Sequence, residues 1–441
     1  MYDFTTPANS LEELWMPFTP QRFFKKSPRM VVSADGMYYK DQDGKQIIDA
    51  AAGMWCVNAG HNRPRIKAAI QNQLELMDYA PCFQYGHPTA FKAASRLVAA
   101  MPRPISQVFF SNSGSEAVDT ALKIALAYHR ARGEGTRRVL IGRERAYHGV
   151  GFGGISVGGI PYNRAAFGQL LPDVDHLPHT HNLEHNAFKR GMPEWGGHLA
   201  DDLERIIYLH DPSNVAAVIV EPISGSTGVL PPPMGYLQRL REICDKHGVL
   251  LIFDEVVTGF GRLGSVSSAP YFGVMPDMIT TAKGLTNGVV PMGATFVTDK
   301  VYEAFMNGPE KLVELMHGYT YSGHPLASAA ALATLDTYIE DKIFENAVAM
   351  APVLENAVHS LKDKPYVVDI RNCGMLAGIQ LAEYSKEDPG HTAREASYEL
   401  FRRGAMVRAS GTNLYLSPPL ILTENHIDQI VTMIGDVLSD L

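Results

Sequence analysis

The spacing of apolar residues changes rhythm along the chain. From about residue 105 to about residue 300, short apolar runs alternate with helical patterns. ISQVFF (105–110) leads into SEAVDTALKIALAYHRA, and RRVLIG (137–142) leads into a glycine-rich stretch. VAAVIVEP (215–222) ends on an acid. YLQRLREICDKHG is an amphipathic helix closing on glycine, followed by VLLIFDEV (249–256), DMITTAK (277–283) and MGATFVT (292–298). This alternation predicts a parallel sheet flanked by helices, an α/β fold. From about residue 325, ASAAALATLDTYI and its successor read as long helices, and VVDIRNCGMLAGIQLA (367–382) alternates as antiparallel strands do. Short, turn-marked strands surround YYKDQDGKQIIDAAAG. The expectation is a large domain over 61–325 and a smaller α+β domain built from both chain ends, 1–60 and 326–441.

Composition narrows the class. The 441 residues are 46% hydrophobic and 20% charged, ordinary for a globular chain with a large core. No run approaches the roughly 20 apolar residues a membrane helix needs, and MYDFTTPANSLEELW does not read as a secretory signal. The net charge of −8 without a basic block argues against nucleic acid or an anionic membrane as partner. Cys56, Cys82, Cys244 and Cys373 are far apart with no C-x-x-C pair, which fits reduced thiols and a cytoplasmic setting. HLPHTHNLEH (176–185) lacks metal-ligand spacing and reads as a polar surface loop, so no metal is expected.

Candidate chemistry lies after the predicted strands, where open α/β sheets gather their functional groups. SNSGSEA (111–117) follows an apolar run and opens a helix. It reads either as a phosphate cradle or as a plain cap in which Ser113 or Ser115 satisfies orphan amides. Asp254 ends a buried-looking strand, with Glu255 beside it as its solvent-facing partner. Arg262 or backbone amides are alternative partners for Asp254. Lys283 stands in TTAKGLTNG with no opposite charge adjacent. A lysine, an acid and a phosphate cradle on strand ends are what pyridoxal phosphate (PLP) needs: an amine for its aldehyde, a carboxylate for its ring nitrogen, and amides for its phosphate. The glycine run Gly149–Gly154 lacks the strand-then-helix context of a nicotinamide site.

Taken together, SNSGSEA, AYHG, IVEP, FDEVVTGFGR, the AKG lysine and YTYSGHP resemble the class III (ω-amino acid) PLP-dependent aminotransferases, a fold-type I group, over nearly the whole chain. WMPFT, GMWCVNAGH, FQYGHP and HGYTYSGHP are similar to the ω-amino acid:pyruvate members. The resemblance implies PLP as cofactor and Lys283 and Asp254 as the catalytic pair. Ser113, Gly114 and Ser115 would hold the phosphate. Tyr147 would stack on the ring, with His148 and Gly149 of the same motif beside it. Val256 would pack on the opposite ring face, and Glu221 would orient the region around the aspartate. Thr320 would reach the phosphate of a neighbouring subunit, which implies a homodimer or a dimer of dimers.

For the substrate, the resemblance implies a pocket lined by Phe18, Trp55, Phe83 and Tyr147. Arg408 would grip a carboxylate by swinging in and out. Relatives acting on γ-aminobutyrate or ornithine carry arginine directly after HG, where this chain has Val150. The expected reaction moves an amino group from an ω-amino acid or amine to pyruvate. A taurine:pyruvate enzyme or a glutamate-1-semialdehyde-type aminomutase is the alternative.

Overall fold

The computed structural model describes residues 10–441; the first nine, part of the segment read as lacking a secretory signal, lie outside it. In chain order the strands are β1 Val31–Asp35, β2 Tyr38–Asp41, β3 Gln46–Asp49, β4 Ile105–Ser111, β5 Val139–Arg143, β6 Val174–Leu177, β7 Val215–Val220 and β8 Leu250–Asp254. They continue with β9 Met278–Thr281, β10 Gly293–Thr298, β11 Val367–Cys373, β12 Leu376–Leu381, β13 Ala405–Met406, β14 Arg408–Ser410 and β15 Asn413–Leu416.

Seven of these form the central sheet in the order β4-β10-β9-β8-β7-β5-β6. The pairs from β9 through β8, β7 and β5 to β6 are parallel, and β10 runs antiparallel to both β4 and β9. The central strands VAAVIV and LLIFD are buried at every position. Their apolar character, broken only by Asp254 at the end of β8, follows from helices covering both faces. Each Val, Leu, Ile or Phe side chain among them withdrawn from water contributes roughly 1.5–3 kcal/mol. The helix Gly114–Ala131 packs on β9 and β10. The helix Tyr236–His247 ends on Gly248 at φ 67°, the left-handed cap that glycine adopts without steric cost.

A second sheet, β11-β12-β15-β14, is antiparallel throughout. A third joins the chain ends: β13 pairs in parallel with β3, beside β2 and β1. The helix Pro325–Glu340 lies against Pro64–Leu76 and Pro88–Ala100. The histidine segment is a surface loop only in part: Leu183, Glu184 and His185 are exposed, but the rest is tied into the fold. Its first residues form β6, Thr180 is buried, and His181 Nε2 donates to Gln380 Oε1 at 3.0 Å. Burial, with Arg371 and Arg145 nearby, holds His181 down to about 4. No helix among the described residues is long and apolar enough to cross a membrane.

Candidate active site

The carboxyl ends of β4, β7, β8 and β9 deliver the SNSGSEA turn, Glu221, Asp254 and Lys283. Asp254, the last residue of β8, is 5% exposed. Its Oδ2 accepts from His148 Nδ1 at 2.7 Å, and its Oδ1 accepts from the Val256 amide at 3.1 Å. His148 is buried, and its Nε2 has no partner among the described residues. Arg262 does not serve Asp254. It donates to the Pro418 carbonyl at 2.6 Å and Asn58 Oδ1 at 2.7 Å, and burial lowers it to about 10.

Glu255 departs from expectation. The chain turns out of the strand after Asp254, so strand alternation no longer applies, and Glu255 is 1% exposed. Its carboxylate accepts from Ser267 Oγ at 2.9 Å and from the Ser268 amide at 2.8 Å. Burial pushes it up to about 7.

The cap and cradle readings of SNSGSEA are compatible in one geometry. Ser113 Oγ accepts from the Glu116 amide at 3.2 Å, and Glu116 Oε2 accepts from the Asn112 amide at 2.7 Å. The amides of Gly114 and Ser115 make no hydrogen bond among the described residues, so the helix start still offers donors. Ser115 Oγ accepts from the Val150 amide at 3.1 Å. A Cβ at Gly149, where φ is +90°, would lie 2.5 Å from Ser115 Oγ. A Cβ at Gly114 would meet Val256 at 3.0 Å, which places Val256 beside the helix start. The run Gly149–Gly154 thus packs on this turn and leads into the short helix Phe152–Val157.

Glu221 Oε1 accepts from the Tyr147 amide at 2.9 Å, and Oε2 accepts from the Gly225 amide at 3.0 Å. Burial raises its pKa, with His148 opposing and Asp254 adding to the rise.

Lys283 opens a short turn with φ +46°, an uncommon conformation for a residue bearing Cβ. Desolvation lowers its amine from the ordinary lysine value, Cys56 and Asp254 oppose, and Arg408 adds to the fall. Its Nζ stands 5.9 Å from the Trp55 ring centre. Arg408 Cζ lies over the same ring at 4.7 Å, so Trp55 is shared by lysine and arginine. Burial lowers the Arg408 pKa.

Three expected residues are not brought to this cluster by the described chain. Phe18 is 76% exposed and Phe83 is 52% exposed, the latter against Gly318. Thr320 is exposed too, and His324 instead caps the helix Pro325–Glu340. Several supports escaped sequence reasoning. Asp49 accepts from the amides of Ala51 and Gly53 at 3.0 and 2.7 Å, which shapes the turn carrying Trp55. Asn287 Oδ1 accepts from the Ala59 amide at 2.7 Å, and Tyr338 Oη donates to the Gly284 carbonyl at 2.7 Å. Asn287 looks like an ordinary turn residue in sequence, and only its long-range partners Ala59 and Gly60 reveal the role; Asp49, the last residue of β3, acts on the amides that directly follow it.

The arrangement fits PLP. An acceptor-only carboxylate, a desolvated primary amine and open helix-start amides match its ring nitrogen, aldehyde and phosphate. Fold and site together therefore define a PLP-dependent transferase of fold type I. The family model for aminotransferase class-III matches residues 23–438, and the chain belongs to that family. It is 59% identical to an omega-aminotransferase of Caulobacter vibrioides, covering 98% of this chain and 99% of that one. It is 48% identical to a beta-alanine–pyruvate aminotransferase of Pseudomonas aeruginosa, over 98% of this chain and 96% of the relative. An amine transaminase from an uncultivated Pseudomonas species, solved with PLP bound, superposes with a TM-score of 0.89 at 36% identity. That alignment covers 98% of this chain and 100% of the other. The protein is a PLP-dependent aminotransferase.

Proposed function

We propose that this aminotransferase moves the amino group of an ω-amino acid or simple amine to pyruvate, giving an aldehyde or ketone and L-alanine. One observation carries the reading: the desolvated Lys283 and the half-buried Arg408 both lie against the ring of Trp55. A carboxylate gripped by Arg408 would lie across the indole from the reacting amine. The names of the relatives, one of them a beta-alanine–pyruvate enzyme, support the same assignment.

PLP, when bound, supplies the carbonyl that carries the amino group and a ring that draws electrons from the substrate. Lys283 Nζ takes the proton from the carbon bearing the amine and returns it at the other end. Desolvation, which lowers its pKa, favours the neutral amine that this work needs. Asp254, held by His148, would keep the ring nitrogen protonated. Gly114 and Ser115 amides, with Ser113 beside them, bind phosphate. Tyr147 and Val256 would hold the ring between them, and Gly149 allows the close approach of the Tyr147 loop to Ser115. Arg408 makes a bidentate carboxylate contact for pyruvate and moves aside for amines without one.

The reading includes a homodimer. Thr320, Phe83 and Phe18 are exposed on one chain. In the dimer, Thr320 serves the phosphate site of a second copy, and the two phenylalanines complete the pocket walls. The test is a donor panel of β-alanine, taurine, a diamine and a simple amine, each with pyruvate or oxoglutarate as acceptor. L-Alanine formed with pyruvate supports the assignment. Product formation from a single amino-aldehyde with no acceptor would mark an aminomutase instead.

A further inference from the structure

One cleft next to the active site has no role in the chemistry above. It holds about 340 Å³ and lies between the loop after β5 and the tip of the hairpin β14–β15. That hairpin starts at Arg408 and turns at Ser410–Asn413. Tyr162 and Tyr415 line the cleft, and both also lie close enough to bear on the charge of Arg408. Tyr415 pairs with Arg408 across the hairpin and packs edge-on against Trp55, 6.1 Å between ring centres, so the cleft backs onto the Arg408–Trp55 pair.

Its donors are unspent. Arg145, half-buried at φ +63°, has no hydrogen bond or ion pair from its guanidinium among the described residues. Its backbone is fixed from both sides: its amide donates to the Gly159 carbonyl at 2.9 Å, and its carbonyl accepts from Thr227 Oγ1 at 2.9 Å. Gln380 and Asn413 sit side by side on β12 and β15. Arg371 donates to Gln380 Oε1 at 2.8 Å and to Asn413 Oδ1 at 2.5 Å. Arginine only donates, so both amides are locked with oxygen toward Arg371. Their NH2 groups make no bond among the described residues and face away from it. Arg371 itself is taken up by Asp369 and the Gly228 carbonyl. Acids nearby are Glu144, whose carboxylate accepts from the His179 amide, and the exposed Glu383 on the rim.

We propose that this cleft is a carboxylate-binding subsite, with Arg145 as its cation, that captures small organic acids beside the Arg408 pocket. One free guanidinium and two fixed amide donors suit a planar monoanion. A phosphate dianion would find a single counter-charge and would face Glu383. The occupants are the carboxylate substrates of the reaction proposed above, on which this inference rests for their identity. A rim acid also tolerates the ammonium of an amino acid.

The test uses the holoenzyme and propionate, an unreactive carboxylate. Phenylglyoxal labelling is followed by mass spectrometry on the Arg145 peptide, with chloride at equal ionic strength as control. Propionate should slow labelling of Arg145 about fivefold or more, in wild type and in Arg408→Ala alike. No protection, or protection by inorganic phosphate but not by propionate, overturns the proposal. Arg145→Met should lower kcat/KM for pyruvate by about 3- to 10-fold with kcat unchanged, while the half-reaction with a carboxylate-free amine stays the same. Arg145→Lys should recover part of the loss. Equal losses in both half-reactions would make Arg145 a structural residue. The labelling result stands whether or not pyruvate is the acceptor, so failure of the subsite and failure of the proposed reaction are separable.

Discussion

Asp254→Asn is the substitution whose cost the geometry specifies best. Both carboxylate oxygens act as acceptors, one from His148 Nδ1 at 2.7 Å and one from the Val256 amide at 3.1 Å. An amide has only one oxygen, so either His148 or Val256 must face an NH2 group in a site that is 5% exposed. A donor left facing a donor in a buried site costs about 1–3 kcal/mol. The larger loss is functional, because a neutral amide cannot hold a ring nitrogen protonated. Losing a charge-assisted contact that matters most in the transition state costs about 2–4 kcal/mol, or roughly 30- to 900-fold in rate. The assay is a single-turnover half-reaction with a carboxylate-free amine, alongside cofactor retention after dialysis. Proton abstraction should slow by that range, and the cofactor should dissociate more readily. An unchanged rate with an unchanged cofactor spectrum would make Asp254 a structural acid and refute the reasoning.

Arg408→Ala should lower kcat/KM for pyruvate by about 10- to 100-fold, mainly through KM, and spare the half-reaction with a simple amine. Steady-state kinetics on both substrates check this, and equal losses would contradict it. Glu255 gives a pH signature. Its folded pKa is raised from 4.5 to about 7, so the folded chain keeps a proton that the unfolded chain releases. Its contribution to stability is therefore full at acid pH and falls as pH rises from 4.5 to about 7, by on the order of 3 kcal/mol. Glu255→Gln should flatten the fall in urea midpoint across that window, while identical pH slopes would contradict the prediction.

Where local pattern and tertiary environment agree, the sequence was enough. β7 and the first four residues of β8 are apolar because the sheet is covered on both faces, and Lys283, Asp254 and Glu221 stand out in the sequence because each comes at or just after the end of such a strand. Glu255 was misplaced because strand alternation stops where the chain turns, which one sequence does not mark. The histidine segment looks like a surface loop in sequence because part of its polarity is spent on partners such as Gln380, some 200 residues away. Asn287 escapes notice for the same reason, since its hydrogen bonds reach Ala59 and Gly60 far away in the chain, whereas Asp49 bonds locally, to amides two and four residues on, in a turn that no sequence pattern marks. Phe18, Phe83 and Thr320 came from the family resemblance alone, and the described chain leaves them exposed.

The central claim is that Lys283 holds the cofactor. Borohydride reduction of the holoenzyme, followed by proteolysis and mass spectrometry, tests it directly, because reduction fixes the cofactor to whichever amine it is joined to. The account predicts the phosphopyridoxyl group on the peptide containing Lys283, and no label on that peptide in Lys283→Ala. Label on a different lysine, or a wild-type chain that carries none, would contradict it.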